Sequence, residues 1–278
     1  MIYVSIAAAL AVLSALYLFL IMTERPRGRM KPFEDVLIAH RGLFGDGAPE
    51  NTLAAFARAA ERGYGIELDV QLTADSRLVV FHDATLGRMF GANKKLSDLT
   101  YGELREYTFP GTGERVPLFE EVLRTVGGRS PLIIEVKSYG RCSETCRILK
   151  ETLEGYCGAY CVESFDPRAL RWFRKNCPDV VRGQLSQYYF KSKTAVPFWQ
   201  RWAMTSLLAD FIGRPSFIAY NHRHRIPLAA RILKRTGAAR LACWTVRSEE
   251  ELTAARETYS VIIFDSFIPS RKRDSQII

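Results

Sequence analysis

The chain has 278 residues, a mass of 31.5 kDa and a formal net charge of +9, enough for one large α/β barrel with an appended segment and no second full domain. The positive balance suits an anionic partner, a phosphorylated small molecule or an acidic bilayer surface. No nucleic-acid-binding module is present, so nucleic acid is set aside as a partner, and no protein partner is inferable.

Residues 1–23 read as a transmembrane anchor. No charged residue lies between Ile2 and Met22, and about 20 helical residues cover the hydrocarbon thickness of a bilayer. A cleavable signal peptide would need a basic leader and small residues after the apolar run, and FLIMTERPR supplies neither. Arg25, Arg27, Arg29 and Lys31 follow in a basic juxtamembrane linker at 24–35. The positive-inside rule then predicts a single-pass, membrane-anchored protein with its amino terminus outside and the following domain in the cytoplasm.

Strand and helix patterns alternate from there on. The periodicity predicts a strand over Val36–Gly42, a helix over Asn51–Gly63, and two strands, Gly65–Thr73 and Leu78–Asp83. Only Ala74–Arg77 separates the last two, too few residues for a parallel crossover, so they should form a hairpin. Residues 84–116 carry turn and polar signals and read as an insertion over the barrel mouth. A helix follows at Pro117–Gly127. Strands are then predicted at Pro131–Ser138, Ala159–Phe165, Val180–Leu185, Phe217–Asn221, Leu241–Val246 and Val261–Asp265, with helices near 143–154, 167–175, 227–236 and 248–258. The fold class is therefore α/β, a TIM (β/α)₈ barrel over 36–270 with a small insertion after the third strand-like run, preceded by the transmembrane helix and followed by a basic tail at 271–278. Nine strand-like runs stand where a barrel needs eight, and the hairpin is where the extra one is expected.

Two further stretches need a reading. Residues 196–218 carry Phe198, Trp199, Trp202, Phe211 and Phe217 around Arg201, Asp210 and Arg214. Such a segment either packs as an extra core helix or lies in the membrane interface as an aromatic amphipathic element. Cys142, Cys146, Cys157 and Cys161 form two C-x₃-C pairs. In an extended Cys157–Cys161 segment the Cα atoms would lie roughly 13 Å apart, too far to share one zinc ion, so these read as reduced thiols.

The chemistry-bearing residues sit at or near the downstream ends of apolar runs: His40 in VLIAHRG, Glu67 and Asp69 in GIELDVQLT, His82 in LVVFHD and Glu135 in PLIIEVKS. Barrel strands expose only their carboxyl ends to a cavity, so this placement builds a mouth. Glu67 and Asp69, two apart in a strand, leave the same face and can chelate one ion; Glu135 and Lys137 repeat the spacing on another strand. An oxygen-only donor set favours one hard divalent cation, Mg²⁺ or Ca²⁺, over zinc. Three carboxylates, such an ion, Arg41, Lys137 and a phosphodiester would together lie near neutrality. Any one acid–base pair taken alone is equally well a buried ion pair holding the barrel. His40 and His82 are the natural acid and base because imidazole, with a pKa of ~6.5, exchanges protons near neutral pH. His222 and His224, in NHRHR, read as a solvated basic loop.

These segments resemble the glycerophosphodiester phosphodiesterase family. His40-Arg41-Gly42 with Pro49-Glu50-Asn51-Thr52 is similar to its HRG…PENT opening, Glu67-Leu68-Asp69 to its E-x-D metal pair, His82-Asp83 with Leu86 and Arg88 to HD-x-x-L-x-R, and Glu135-Val136-Lys137 to E-x-K. Ser164-Phe165, Trp244-Thr245 and Asp265 resemble its later landmarks, and the match runs in order over roughly residues 36–270. The resemblance implies that Glu67, Asp69 and Glu135 ligate the metal, that His40 and His82 are the acid–base pair, and that Arg41 and Lys137, with Trp244, hold phosphate and substrate. Glu50, Asn51 and Asp83 would brace the site. The implied reaction is hydrolysis of glycerophosphodiesters to glycerol 3-phosphate and an alcohol through a cyclic phosphate. Lysophospholipase D-type hydrolysis of a lysophospholipid, a lyase that stops at the cyclic ester, and a non-catalytic lipid-binding barrel are the alternatives. Met89-Phe90 and Phe264 depart from the threonines usual in the family, which leaves the headgroup contacts open.

Overall fold

The computed structural model describes residues 1–26, 28–191 and 196–270; Arg27 and the basic tail at 271–278 lie outside them. Nine strands form among the described residues: β1 Ile38–His40, β2 Gly65–Leu72, β3 Leu78–Val80, β4 Leu132–Val136, β5 Tyr160–Ser164, β6 Arg182–Ser186, β7 Phe217–Asn221, β8 Arg240–Val246 and β9 Val261–Phe264. Eight pair in parallel around a closed circle that runs from β1 through β2 and β4 to β9 and returns to β1, with Ile38 opposite Ile263. The ninth is β3, which pairs antiparallel with β2, Leu72 opposite Leu78. The short turn between them holds no crossover helix, so β3 folds back and leaves the barrel.

Side-chain parity divides the core in two. Ile38, Ile133, Cys161, Phe217, Ala242 and Val261 point inward and pack together inside the barrel. Their neighbours of opposite parity, among them Ile66, Leu68, Ile134, Val162 and Ile262, pack outward against the helices. The helix Leu53–Glu61 shows how the outer layer is specified. Thr52 caps it by accepting from the Ala55 amide, and Ala55, Phe56, Ala59 and Ala60 form its buried face. The helix Phe119–Val126 stops where Gly127 takes a φ of +56°.

Part of the stretch read as a juxtamembrane linker is a barrel floor. A short helix, Lys31–Glu34, carries Phe33 inward, and Met30 and Phe33, each 1% exposed, belong to the interior cluster. The insertion at 84–116 has its own apolar centre, in which Leu86, Leu96, Leu99, Leu104 and Phe109 join Val79 and Phe81.

The segment 196–218 is neither a single core helix nor a single interfacial one. It breaks into helices Phe198–Thr205 and Asp210–Gly213, separated by Leu207 at a φ of +60°, before β7 begins. Leu207 is buried, whereas Phe198, Trp199 and Trp202 are exposed. The N-terminal helix Ile2–Leu20 buries none of its residues and is, among the described residues, the one helix long and apolar enough to cross a membrane. At its end Ile21 enters the core, and Phe19 meets Phe211 at 5.4 Å between ring centroids.

The floor makes a direct prediction. Phe33→Ala opens a cavity inside the barrel and is expected to lower the unfolding free energy by about 3 kcal/mol or more. Denaturant unfolding of the full chain in detergent measures this; a loss under about 1 kcal/mol would show that the floor is not tightly packed.

Candidate active site

The strand register assembles the acids at one end of the barrel. His40 lies opposite Glu67, Asp69 opposite Glu135, and Glu135 opposite Glu163. Inward parity and a shared level therefore bring carboxylates from β2, β4 and β5 to the carboxyl ends of the strands. Glu67, Asp69 and Glu135 are buried, and one oxygen from each lies within 4.8 Å of the others. Oxygen donors at that spacing, without thiolate or imidazole among them, fit a hard divalent cation of the Mg²⁺ or Ca²⁺ kind.

Cations and amides surround this cluster. Lys137 Nζ lies 2.7 Å from Glu135 Oε1 and 3.1 Å from Asp69 Oδ1. The Arg41 amide donates to Glu67 Oε2 at 3.0 Å, while its guanidinium donates to Glu50 Oε1 at 2.8 Å and stands 3.4 Å from Asp69 Oδ2. Asn51 Nδ2 donates to Asp69 Oδ2 at 2.8 Å. Arg41 and Asn51 both hold left-handed backbone, φ of +57° and +58°, so strained positions are spent on aiming donors at the acids.

The electrostatics separate the three acids. Burial, followed by the repulsion of Asp69 and Glu135, raises Glu67 well above the usual carboxylate range. Burial likewise pushes Glu135 to about 7 despite Lys137. Burial alone would raise Asp69 too, but Lys137, His82 and Arg41 hold it well below its ordinary value. Lys137, which burial would discharge, is kept charged by Asp69 and Glu135.

Each site histidine is oriented by a carboxylate. His40 Nδ1 is 2.9 Å from Asp265 Oδ2, and His82 Nδ1 is 2.7 Å from Asp83 Oδ1. Arg247 in turn holds Asp265 at 2.8 Å, and Arg88 holds Asp83 at 2.6 Å while also reaching Glu50. A carboxylate on Nδ1 selects the tautomer that leaves Nε2 free to take a proton. Burial lowers both imidazoles, His40 and His82, below their ordinary pKa, so both are neutral at neutral pH.

Glu50 and Asn51 reach the acids or their cations from the loop before Leu53–Glu61, and Asp83 fixes His82. Trp244 lies inside the barrel near its mouth. Its indole N–H donates to the Ala219 carbonyl at 3.1 Å, and its ring meets Phe165 edge to face, so only the ring surface is left for a ligand. His222 and His224, expected in a solvated basic loop, lie in the loop after β7 beside exposed Arg223 and Arg225 and are themselves partly buried. His222 Nε2 donates to the Thr245 carbonyl at 2.9 Å, and His224 Nδ1 accepts from the Tyr188 amide at 3.1 Å.

Three residues that matter here were passed over as functional in the sequence. Asp265, noted there as a landmark, orients His40; Arg88 ties Glu50 to Asp83; Glu163, 1% exposed on β5, places a fourth carboxyl level with Glu135. Burial raises Glu163 well above the usual carboxylate range. Its signal was its parity: in YCVES it stands at the position of its strand that Glu135 occupies in LIIEV, directly opposite it in the sheet.

Residues 40–265 match the sequence profile of the glycerophosphoryl diester phosphodiesterase family. The chain belongs to that family. A glycerophosphodiester phosphodiesterase of Caldanaerobacter subterraneus subsp. tengcongensis is 32% identical over 230 residues, 78% of this chain and 88% of the relative. A lysophospholipase D of Rattus norvegicus is 39% identical over 113 residues, 36% of this chain and 35% of its own. Among solved structures, an Oleispira antarctica phosphodiesterase in complex with sn-glycerol-3-phosphate has the same fold, with a TM-score of 0.69 at 22% identity over 83% of this chain and 93% of that one. The chain is thus a glycerophosphodiester phosphodiesterase, a phosphoric diester hydrolase built on a closed eight-stranded barrel.

The raised acids predict how a cation competes with protons. Glu135 is ionised above its pKa of about 7 and protonated below it, and a ligand must be deprotonated to bind. Mg²⁺ or Ca²⁺ affinity, measured by calorimetric titration, is expected to fall by about tenfold per pH unit below 7 and to level off above 8. An affinity that is flat between pH 6 and 8 would contradict this linkage.

Proposed function

We propose that the enzyme hydrolyses glycerophosphodiesters to glycerol 3-phosphate and an alcohol by histidine acid–base catalysis at a one-cation site. The observation that supports this most directly is the buried Glu67–Asp69–Glu135 cluster with the oriented imidazoles of His40 and His82 at the same barrel mouth. Glu67, Asp69 and Glu135 would hold one divalent cation, Mg²⁺ or Ca²⁺, which when bound stabilises negative charge building on the phosphoryl oxygens. Arg41 and Lys137, already beside Asp69, would turn part of their charge to the phosphate of a bound diester. Trp244 would offer its ring surface to the substrate, and Glu50, Asn51 and Asp83 would keep these groups in place.

One imidazole Nε2 takes the proton of the glycerol 2-hydroxyl as its oxygen attacks phosphorus. The bond from phosphorus to the leaving alcohol breaks, and the other imidazole protonates that oxygen. Water then opens the cyclic phosphate with the two roles exchanged. The tethered hydroxyl avoids the entropy of a bimolecular encounter, and the neutral state of both rings supplies a base; the ring that serves as acid must first take up a proton.

A second reading, lysophospholipase D-type hydrolysis of a single-chain phospholipid at the same site, is favoured by one feature. Helix Phe198–Thr205 exposes Phe198, Trp199 and Trp202, and is tied to the mouth end of β6 through Ser186 Oγ, which donates to the Met204 carbonyl at 2.7 Å. An apolar rim beside a phosphodiester site suits the acyl chain of a single-chain lipid. The Ile2–Leu20 helix would supply a single-pass anchor, and the basic residues after it would set the catalytic domain in the cytoplasm.

His82→Ala is expected to reduce turnover of glycerophosphocholine by about 10²–10⁴-fold while the chain remains folded by circular dichroism; undiminished turnover removes His82 from the mechanism. A substrate analogue without the glycerol 2-hydroxyl should not turn over, and turnover at the ordinary rate would rule out internal attack. Trp199→Glu with Trp202→Glu should lower the rate on lysophosphatidylcholine relative to that on glycerophosphocholine. An unchanged ratio would show that the rim does not meet the acyl chain.

A further inference from the structure

A second strongly charged cavity lies away from the mouth, where the N-terminal helix joins the barrel. It has a volume of about 610 Å³ and is lined by Phe19, Phe211, Arg171, Arg174, Lys175 and Arg214, with no acidic side chain in its wall. Three of the cations come from one helix, Pro167–Asn176, and the fourth from the left-handed cap that ends Asp210–Gly213. The helix follows β5 and runs back from the mouth toward the floor, so its last turns, which carry Arg171, Arg174 and Lys175, lie at the end opposite the acid cluster.

These cations are not spent on internal pairs. Among the described residues, none of the four has a carboxylate within ion-pair distance; Arg174 Nη1 donates to the Phe211 and Ile212 carbonyls at 3.3 Å. The acid that acts on Arg174, Glu24, is itself engaged with Arg29 and Arg182. Arg171 and Lys175 are exposed and Arg174 and Arg214 half-buried. Like charges gathered without counter-charges cost free energy unless an anion joins them.

The position selects the anion. Phe19 lies in the last turn of the apolar helix, and its ring forms one wall with Phe211, 5.4 Å away. In a helix that spans a bilayer, an aromatic at that depth lies at headgroup level, and each Lys or Arg at an anionic leaflet adds attraction. We infer that this cleft binds the phosphate headgroup of an anionic phospholipid, with the lipid's glycerol and first acyl carbons against Phe19 and Phe211. The inference rests on the membrane-anchored reading of Ile2–Leu20. It assigns the floor side of the barrel to a structural or regulatory lipid and leaves the mouth to substrate.

The test uses the full chain in mild detergent with phosphatidylglycerol, phosphatidylcholine or inorganic phosphate added, and native mass spectrometry to count bound molecules. Phosphatidylglycerol is expected to be retained in preference to phosphatidylcholine. Arg171→Glu with Lys175→Glu is expected to weaken that retention about tenfold or more. Arg171→Gln with Lys175→Gln should give a smaller loss, and it decides the matter should the reversed variant fail to reach the wild-type unfolding midpoint. Equal retention of the two lipids, or full retention by a folded variant, overturns the inference. Displacement of phosphatidylglycerol by inorganic phosphate at equal concentration would make the cleft a free-phosphate site and overturn it as well. Resistance of the chain to alkaline carbonate extraction from membranes tests the anchor separately, so a lost anchor and a lost headgroup site give different results.

Discussion

Four buried carboxyl groups at the end of three adjacent strands set the terms for the rest of this enzyme. Removing several anions from water and crowding them together is unfavourable unless something answers their charge. The protein's answer is partial. Lys137 and Arg41 keep Asp69 ionised, while burial pushes Glu163, Glu67 and Glu135 upward. The cluster is therefore an arrangement of unequal acids, and the strained backbone at Arg41 and Asn51 belongs to the same arrangement.

Around that cluster the barrel supplies orientation more than contact. Asp265 and Asp83 select the same tautomer in two histidines, one ending β1 and the other two residues past β3, and Arg247 and Arg88 hold those carboxylates from behind. Arg88 comes from the insertion whose separate apolar centre is built on Val79 and Phe81, next to His82. The insertion thus does mechanical work: it turns an irregular stretch into a rigid support for one imidazole and for Glu50.

The two ends of the barrel differ in kind. One carries acids, imidazoles and an exposed aromatic rim; the other is closed by Met30 and Phe33 and meets the apolar helix beside four cations. Parallel strands make this polarity unavoidable, since every loop that follows a strand lies at one end and every loop that precedes one lies at the other.

Much of this was legible in the residues. Period-2 spacing placed Glu67 with Asp69 and Glu135 with Lys137 on common faces, the short Ala74–Arg77 link identified the strand that leaves the barrel, and uninterrupted apolarity marked Ile2–Leu20; all of these are local properties, carried by chain geometry and side-chain type alone. What distant segments do to one another was not legible. Asp265 meets His40 only because β9 closes against β1, Phe33 becomes a floor only once a barrel exists to be closed, and 196–218 splits because Leu207 finds a buried place that no periodicity encodes. The sequence by itself determined which groups face inward and what chemistry they carry; only the closed sheet decided which of them touch, because contact between residues far apart in the chain is set by register and packing and not by local spacing.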